Sequence, residues 1–285
     1  MITFVQQLQG LARMLWCIGK ASVQHFRRDH CNETAGALTY VTLLSMVPIA
    51  TVVFAIVHRM PFFQDGMLRL EALLVSLFAP DFGTDVISYL HGFVERSYAL
   101  TKWSVLILLY TVFWAFSTIE KTFNRIWAVP QPRRTWRRWL TYLLLILFGP
   151  LLLLAGVSAT IFFSSQLSLL PVMLSLADNK LFYMVLLFII SFVVFMCMYR
   201  WLPNQRVAWH FAALGGLVAA ILFELSKRLF TQYLAWFPTH EVIYGAMALL
   251  PLLMIWLHLV WAIILLGAEI SFSYEKYAQN PRLSV

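Results

Sequence analysis

The chain has 285 residues, of which 61% are apolar, 16% aromatic and only 12% charged, and its formal net charge at pH 7 is +8. Soluble domains are about 45–50% apolar and about 25% charged. Half the usual charge cannot cover a water-soluble globule of this size, so the composition excludes a soluble enzyme, a disordered chain and a disulfide-rich secreted module. The sequence therefore predicts an integral membrane protein.

The first 34 residues are predicted to be a cytoplasmic amphipathic segment. Apolar residues recur at spacings of three and four from Phe4 to Ile18, which places them on one helix face. The segment has no basic n-region, uninterrupted apolar core or small-residue cleavage site, so a signal peptide is not expected. A helix of this kind lies along an anionic membrane surface.

Six stretches are long and apolar enough to cross a bilayer, for which a helix needs roughly 20 residues. They form a predicted membrane domain over residues 35–271, an all-α polytopic fold. The spans are placed at about 35–57, 103–119, 139–165, 182–199, 207–230 and 242–270.

The distribution of Lys and Arg predicts the orientation. The segments before the first span, after the second, fourth and sixth carry fourteen of the 21 basic residues, and the opposite segments carry seven. The positive-inside rule places both termini in the cytoplasm. The basic cytoplasmic segments are expected to meet anionic lipid head groups, and no nucleic acid is expected as a partner.

Three smaller features complete the predicted organisation. The outer loop 58–102 contains two helical apolar stripes separated by a Pro/Gly break, which predicts a short helical hairpin. Residues 272–285 are predicted to be a cytoplasmic tail. An acid followed by bases and an aromatic residue ends both span two and span five, which suggests a 3+3 inverted repeat.

Several predicted spans contain Gly or Pro, which interrupt helices and expose backbone carbonyls. In transporters such interruptions surround the binding site, and in other membrane proteins they only allow kinks and close packing. Both interpretations remain open. The candidate hinge residues are Pro48, Gly149, Pro150, Gly215, Gly216, Gly245 and Pro251.

Ionisable residues at membrane depth are rare and call for a reason. Glu224 precedes Lys227 and Arg228 at helical spacing, so the carboxylate either lines an outward cavity or forms an intrahelical pair at the interface. Glu269 either faces the bundle interior or marks the interface. Uncharged candidates for the same pathway are Tyr40, Ser45, Asn124 and Tyr244, each of which could instead be a helix–helix hydrogen-bonding group.

No sequence motif indicates an enzyme. The seven histidines are scattered, no zinc-protease, phosphate-loop, dinucleotide or nucleophile-elbow motif occurs, and no cofactor or metal is expected. Cys17, Cys31 and Cys197 are too far apart for a metal motif and are interpreted as buried apolar residues. Because no phosphate-loop motif occurs, any transport is not expected to be driven by ATP hydrolysis in this chain itself.

Several separate motifs, in order along the chain, resemble the YihY / virulence factor BrkB family of bacterial inner-membrane proteins. The matching stretches are 34–40, 44–48, 124–127, 148–151, 202–207, 223–227, 243–246 and 265–270. The resemblance implies a six-span helical inner-membrane protein, in agreement with the count above. Transport or efflux has been suggested for the family, and a ribonuclease BN label was once attached to it, which the residues here do not support.

The leading hypothesis is an inner-membrane transporter or permease of unknown substrate, with a site between the interrupted spans. In it, Glu224 is a coupling or substrate-contacting carboxylate and Lys227 its partner. The alternative is a non-transporting membrane scaffold or envelope-organising factor, in which the glycines and prolines only serve packing.

Overall fold

The computed structural model describes residues 2–58, 102–129, 180–236 and 249–279, and within them the chain is helical apart from short connections. The apolar runs that predicted the spans form these helices. The six described helices are α1 (Ile2–Arg28), α2 (Cys31–His58), α3 (Lys102–Ile126), α4 (Lys180–Trp201), α5 (Trp209–Trp236) and α6 (Leu249–Gln279).

Helix α6 is the central element of the described bundle, because it contacts each of the other five helices. One side of α6 packs against α1 and α2, and another packs against α5. Its length explains this role: it is the longest described helix, with 31 residues, and it continues beyond residue 270, where the predicted span ends, to Gln279. Beyond 270 the helix is amphipathic, with Ser271 and Ser273 buried and Lys276 exposed.

Helices α4 and α5 form a hairpin joined by residues 202–208. The helices meet through Phe195 and Phe223, whose rings lie edge to face with centroids 5.6 Å apart. The same aromatic cluster continues to Trp256 on α6, which is 1% exposed and lies 4.9 Å from the ring of Phe230. Such edge-to-face and tilted ring contacts add to the packing of the three helices.

The outward faces of α4 and α5 are apolar. On α5, Leu217, Ile221, Leu225 and Leu229 recur every four residues and are 40–60% exposed. The residues of α4 exposed in the same way are Met184, Val185, Ile189, Ile190, Val193 and Val194. A continuous apolar surface of this extent is unfavourable in water and suits lipid.

Two helices end with a residue in the left-handed conformation. His30 (φ 51°) follows α1 and Ala128 (φ 50°) follows α3. At α3, the amide of Val129 donates to the Asn124 carbonyl at 2.9 Å and the amide of Ala128 donates to the Arg125 carbonyl at 3.0 Å, as in a Schellman cap. The cap turns the chain sharply after Trp127.

We expect Ala128→Gly to stabilise the protein slightly. The left-handed conformation costs an L-residue about 1–2 kcal/mol, and Gly removes that cost while adding about 0.4–1 kcal/mol of unfolded-state entropy. The net gain should be up to about 1 kcal/mol, measured by thermal unfolding in detergent. Ala115→Gly, inside α3, is the control and should destabilise; stabilisation by neither substitution would contradict the cap.

Several predicted features lie outside the described residues. They are the third span (139–165) with Gly149 and Pro150, the outer helical hairpin, and residues Tyr244 and Gly245. The six-span count and the 3+3 repeat depend on these segments and therefore stay predictions. The described helices do agree with an all-α membrane domain preceded by an N-terminal helix.

Candidate functional site

A buried carboxylate lies where α1, α2 and α6 meet. Glu269 is fully buried, and its Oε1 accepts a hydrogen bond from the Cys31 thiol at 3.4 Å. Its Oε2 has no hydrogen-bond partner among the described residues and lies 3.9 Å from Nδ1 of His25. A carboxylate with one weak thiol donor and an imidazole just beyond hydrogen-bonding distance is poorly compensated for its burial.

Side chains around Glu269 contact the His25 imidazole and the α6 backbone. Ser22 donates from Oγ to the Ile18 carbonyl at 2.7 Å and approaches the Glu269 carbonyl at 3.5 Å. Ser273 Oγ lies 3.5 Å from Nδ1 of His25. These contacts join the C-terminal part of α1 to α6, so His25 is positioned on the side of the carboxylate that lacks a hydrogen bond. The Cys31 thiol, the His25 imidazole and the Asp29 carboxyl are the titratable groups that face Glu269.

A second polar cluster joins α3 to the connection between α4 and α5. Asn204 donates from Nδ2 to Oε1 of Glu120 at 3.0 Å, and its backbone amide donates to Oδ1 of Asn124 at 2.8 Å. Glu120 and Asn124 are 4% and 8% exposed and lie one turn apart on α3. The cluster fixes residues 202–208 against the end of α3.

A third contact ties the same connection to α6. Glu275 Oε2 accepts hydrogen bonds from the Trp127 indole at 3.2 Å and from Gln205 Nε2 at 3.4 Å. Glu275 is six residues after Glu269 on the same helix. The three clusters therefore lie at one end of the bundle, which we call the polar end.

The predicted pair Glu224 and Lys227 lies toward the opposite end of α5. Lys227 Nζ is 2.6 Å from Glu224 Oε1, and the two side chains are 10% and 23% exposed. The ammonium also lies 5.1 Å from the ring centroid of Phe223, a cation–π contact. The structure does not bring this pair together with Glu269. On α5, Glu224 lies nine residues, about 2.5 helical turns, beyond Gly215, which contacts α6 at Gly267 and Ser271 on either side of Glu269.

On α6, at the level of Glu269, glycines bring three helices into close contact. A Cβ on Gly215 would overlap the carbonyl oxygen of Gly267 and lie 2.9 Å from Ser271 Cβ. A Cβ on Gly216 would lie 2.9 Å from the backbone nitrogen of Met196, and one on Gly267 would lie 2.8 Å from Ala219 Cβ. The predicted hinge Gly215–Gly216 is thus a contact of α5 with α4 and α6, inside a continuous helix.

The remaining predicted residues are dispersed. Tyr40 is 54% exposed, and Ser45 is buried with its Oγ donating to the Thr42 carbonyl at 3.1 Å. Helix α2 is continuous through Pro48, and Pro251 is exposed in the first turn of α6 as described.

Residue patterns alone did not identify several of the groups that meet at the polar end. Their partners lie up to about 250 residues away along the chain, as in the Cys31–Glu269 contact. These groups are Cys31, His25, Asn204 and Glu275. The one usable signal was the spacing of Glu120 and Asn124, four residues apart and therefore on one helix face. Within the described residues, no group of three His, Cys, Asp or Glu side chains is arranged to hold a metal ion.

The fold and composition define an α-helical membrane protein. Among the described helices, Trp209–Tyr233 and Leu250–Gln279 are long and apolar enough to cross a bilayer, and the lipid-compatible faces of α4 and α5 agree with this. The family model of the virulence factor BrkB matches residues 22–284. The chain therefore belongs to the virulence factor BrkB family.

Named relatives are also membrane proteins. The chain is 36% identical over 254 residues to the UPF0761 membrane protein IL2447 of Idiomarina loihiensis, covering 89% of each chain. It is 38% identical to a UPF0761 membrane protein of Azotobacter vinelandii and 40% identical to UPF0761 membrane protein PSPA7_4558 of Pseudomonas paraeruginosa, covering 90% and 85% of this chain. It spans only 64% and 59% of those two longer relatives. No solved structure matches the chain.

Proposed function

We propose that the protein is a transporter or permease of the bacterial inner membrane, with six spans and both termini in the cytoplasm. The observation that carries the proposal is the burial of ionisable side chains in helices with lipid-compatible surfaces. Glu269 is fully buried and Lys227 is 8% exposed. Charged groups at membrane depth cost about 2.5–3.5 kcal/mol on insertion scales, and they most often line ion or substrate pathways.

In this proposal the two polar sites have different roles. The Glu224–Lys227 pair lies toward the predicted outer side and supplies a matched charge pair that a substrate or ion could open. Glu269 and His25 lie on the predicted cytoplasmic side, where a proton could pass between them. Because the sequence has no phosphate-loop motif, transport in this proposal is gradient-driven or passive and is not powered by ATP hydrolysis in this chain itself.

The alternative is a non-transporting scaffold, and a specific contact favours it. Gly215, Gly216 and Gly267 seal α4, α5 and α6 together without space for a methyl group. Transport then requires these helices to separate, whereas a scaffold can keep this contact permanently. Catalysis, including ribonuclease activity, is not part of either proposal.

Cysteine accessibility separates the two proposals without knowledge of the substrate. In a chain whose Cys17, Cys31 and Cys197 are replaced by Ser, single cysteines are placed on two faces of α5. Ala220 (0% exposed) and Phe223 (6%) represent the buried face. A transporter should make Ala220→Cys and Phe223→Cys react with a membrane-impermeant thiol reagent in both right-side-out and inverted vesicles.

The matched controls lie on the lipid-compatible face of the same turns. Ile221→Cys and Leu225→Cys, at positions 50% and 49% exposed, should not react in either vesicle orientation, because a thiol in lipid does not ionise. If the buried-face cysteines also stay unreacted in every condition, the bundle is dry and the scaffold proposal is the better one.

A further inference from the structure

The connection between α4 and α5 forms an open cavity with two arginines. It has a volume of about 280 Å³ and is lined by Arg200, Trp201, Pro203, Asn204, Gln205 and Arg206. Cavities that enclose drug-sized ligands have roughly 300–1,000 Å³. An open site of this size suits a small group, such as the head of a larger molecule.

Arg200 is held in place with part of its hydrogen-bonding capacity unused. One Nη donates to the Val207 carbonyl, and the guanidinium carbon lies 5.5 Å from the ring centroid of Trp209. Its Nε is buried and has no hydrogen-bond partner among the described residues. A guanidinium fixed in this way is prepared to bind a planar or tetrahedral oxyanion without losing much side-chain freedom.

The rest of the lining adds a second positive charge and anchored amides. Arg206 is exposed at the cavity. Asn204 and Gln205 are held by Glu120 and Glu275 through their amide nitrogens. These carboxylates therefore lie behind the amides, each already accepting a hydrogen bond from one of them, and the two arginines are the charges that line the cavity.

The cavity lies beside an aromatic pair typical of a membrane interface. Trp201 and Trp209 are 61% and 48% exposed, and their rings meet edge to face with centroids 6.0 Å apart. Exposed tryptophans gather at the level of the lipid head groups. Basic pockets at the ends of membrane helices on the cytoplasmic side bind phosphorylated head groups.

From these observations we propose that the cavity at 200–206 is a binding site for a phosphate group, carried by an anionic lipid head group or by a small phosphorylated solute. Arg200 and Arg206 bind the phosphate oxygens, and Trp201 and Trp209 set the depth of the site in the interface. The proposal does not depend on whether the protein transports anything, because a lipid could equally be a bound structural partner.

Three soluble probes test the site on the purified full-length chain in neutral detergent. They are dioctanoyl-phosphatidylglycerol, inorganic phosphate, and dioctanoylglycerol, which has the same acyl chains without phosphate. The dissociation constant of each is measured from the increase in unfolding temperature with ligand concentration. Saturable binding of the phosphatidylglycerol alone identifies a lipid site, and competition by inorganic phosphate identifies a site open to soluble phosphates; both support the proposal.

Two arginine variants give the expected pattern. Arg206→Gln removes an exposed charge and should weaken phosphatidylglycerol binding by about tenfold, as expected for the loss of one charge-assisted hydrogen bond. Arg125→Gln removes an exposed arginine on α3, outside the cavity, and should change the binding by less than about twofold. Arg200→Gln should also weaken binding, but it removes the contact with Val207 as well.

Three results would overturn the proposal. Dioctanoylglycerol could bind as tightly as the phosphatidylglycerol, which would make the acyl chains responsible. Arg125→Gln could weaken binding as much as Arg206→Gln, which would make the general positive charge responsible. The third such result is that neither phosphate-containing probe shows saturable binding to the folded wild-type chain.

Discussion

Gly215→Ala is expected to destabilise the protein by about 3 kcal/mol or more. Overpacking a core usually costs about 1–3 kcal/mol, because side chains rotate away to relieve it. Here the added methyl group overlaps the backbone carbonyl of Gly267 and lies 2.9 Å from Ser271 Cβ, so α5 and α6 must separate. The measurement is the midpoint of thermal unfolding in detergent, with the fraction of monodisperse protein as a second readout.

Two other helical glycines provide controls of opposite sign. A Cβ on Gly19 would meet nothing within 4 Å, and one on Gly36 would lie 3.8 Å from Nδ1 of His258, an ordinary contact. Because Ala favours a helix by about 1 kcal/mol relative to Gly, Gly19→Ala and Gly36→Ala should leave stability unchanged or increase it. A Gly215→Ala variant as stable as these two would show that α5 and α6 are not in this close contact.

The class of protein and the helices are predictable from the sequence because both depend on composition and local periodicity. A backbone in lipid must satisfy its hydrogen bonds internally, which favours a helix, and the described helices α2 to α6 overlap the apolar stretches of the sequence. The largest difference is at the end of α6. Hydropathy falls after residue 270, but the helix continues to Gln279 because Ser271 and Ser273 pack inside while the exposed side stays polar.

The role of the glycines and prolines could not be predicted in the same way. A proline in a helix removes one hydrogen bond, and neighbouring groups can compensate for that loss, so α2 continues through Pro48. The stretch Ala35–Gly36–Ala37 suggests a close helix contact, yet the closest contacts of glycine are at Gly215, Gly216 and Gly267. Which glycine meets a neighbouring helix depends on the rotation of both helices, which spacing along one chain does not define.

The side-chain partners at the polar end could not be predicted from the sequence either. Glu120 and Asn124 can be assigned to one face of α3 from their spacing, but their partner Asn204 is 80 residues or more away in the chain. The contact of Glu269 with Cys31 joins residues 238 apart. The spacing of residues along the sequence indicates which polar groups are buried, and a buried polar group needs a partner. The spacing does not identify that partner.

We expect the stability of the protein to depend on the two charges of the Glu224–Lys227 pair together. Removing one partner of a buried ion pair costs about 3–5 kcal/mol, because the other charge is left without compensation. Glu224 retains 23% exposure, so we expect a smaller loss of about 2–3 kcal/mol for Lys227→Met. The double variant Glu224→Gln/Lys227→Met has neither charge, so no buried charge is left unpaired. It should recover most of the stability that Lys227→Met loses.

A double-mutant cycle over Lys227→Met, Glu224→Gln and the double variant measures this coupling directly, from unfolding midpoints converted to free energies. Arg228→Met is the matched control, since Arg228 is the next residue on α5 and is exposed. Loss of that cation should change stability by less than about 0.5 kcal/mol. A coupling free energy near zero, with Lys227→Met as mild as Arg228→Met, would mean that water solvates the pair. The carboxylate would then be an interfacial group and could not serve as a buried contact for a transported solute.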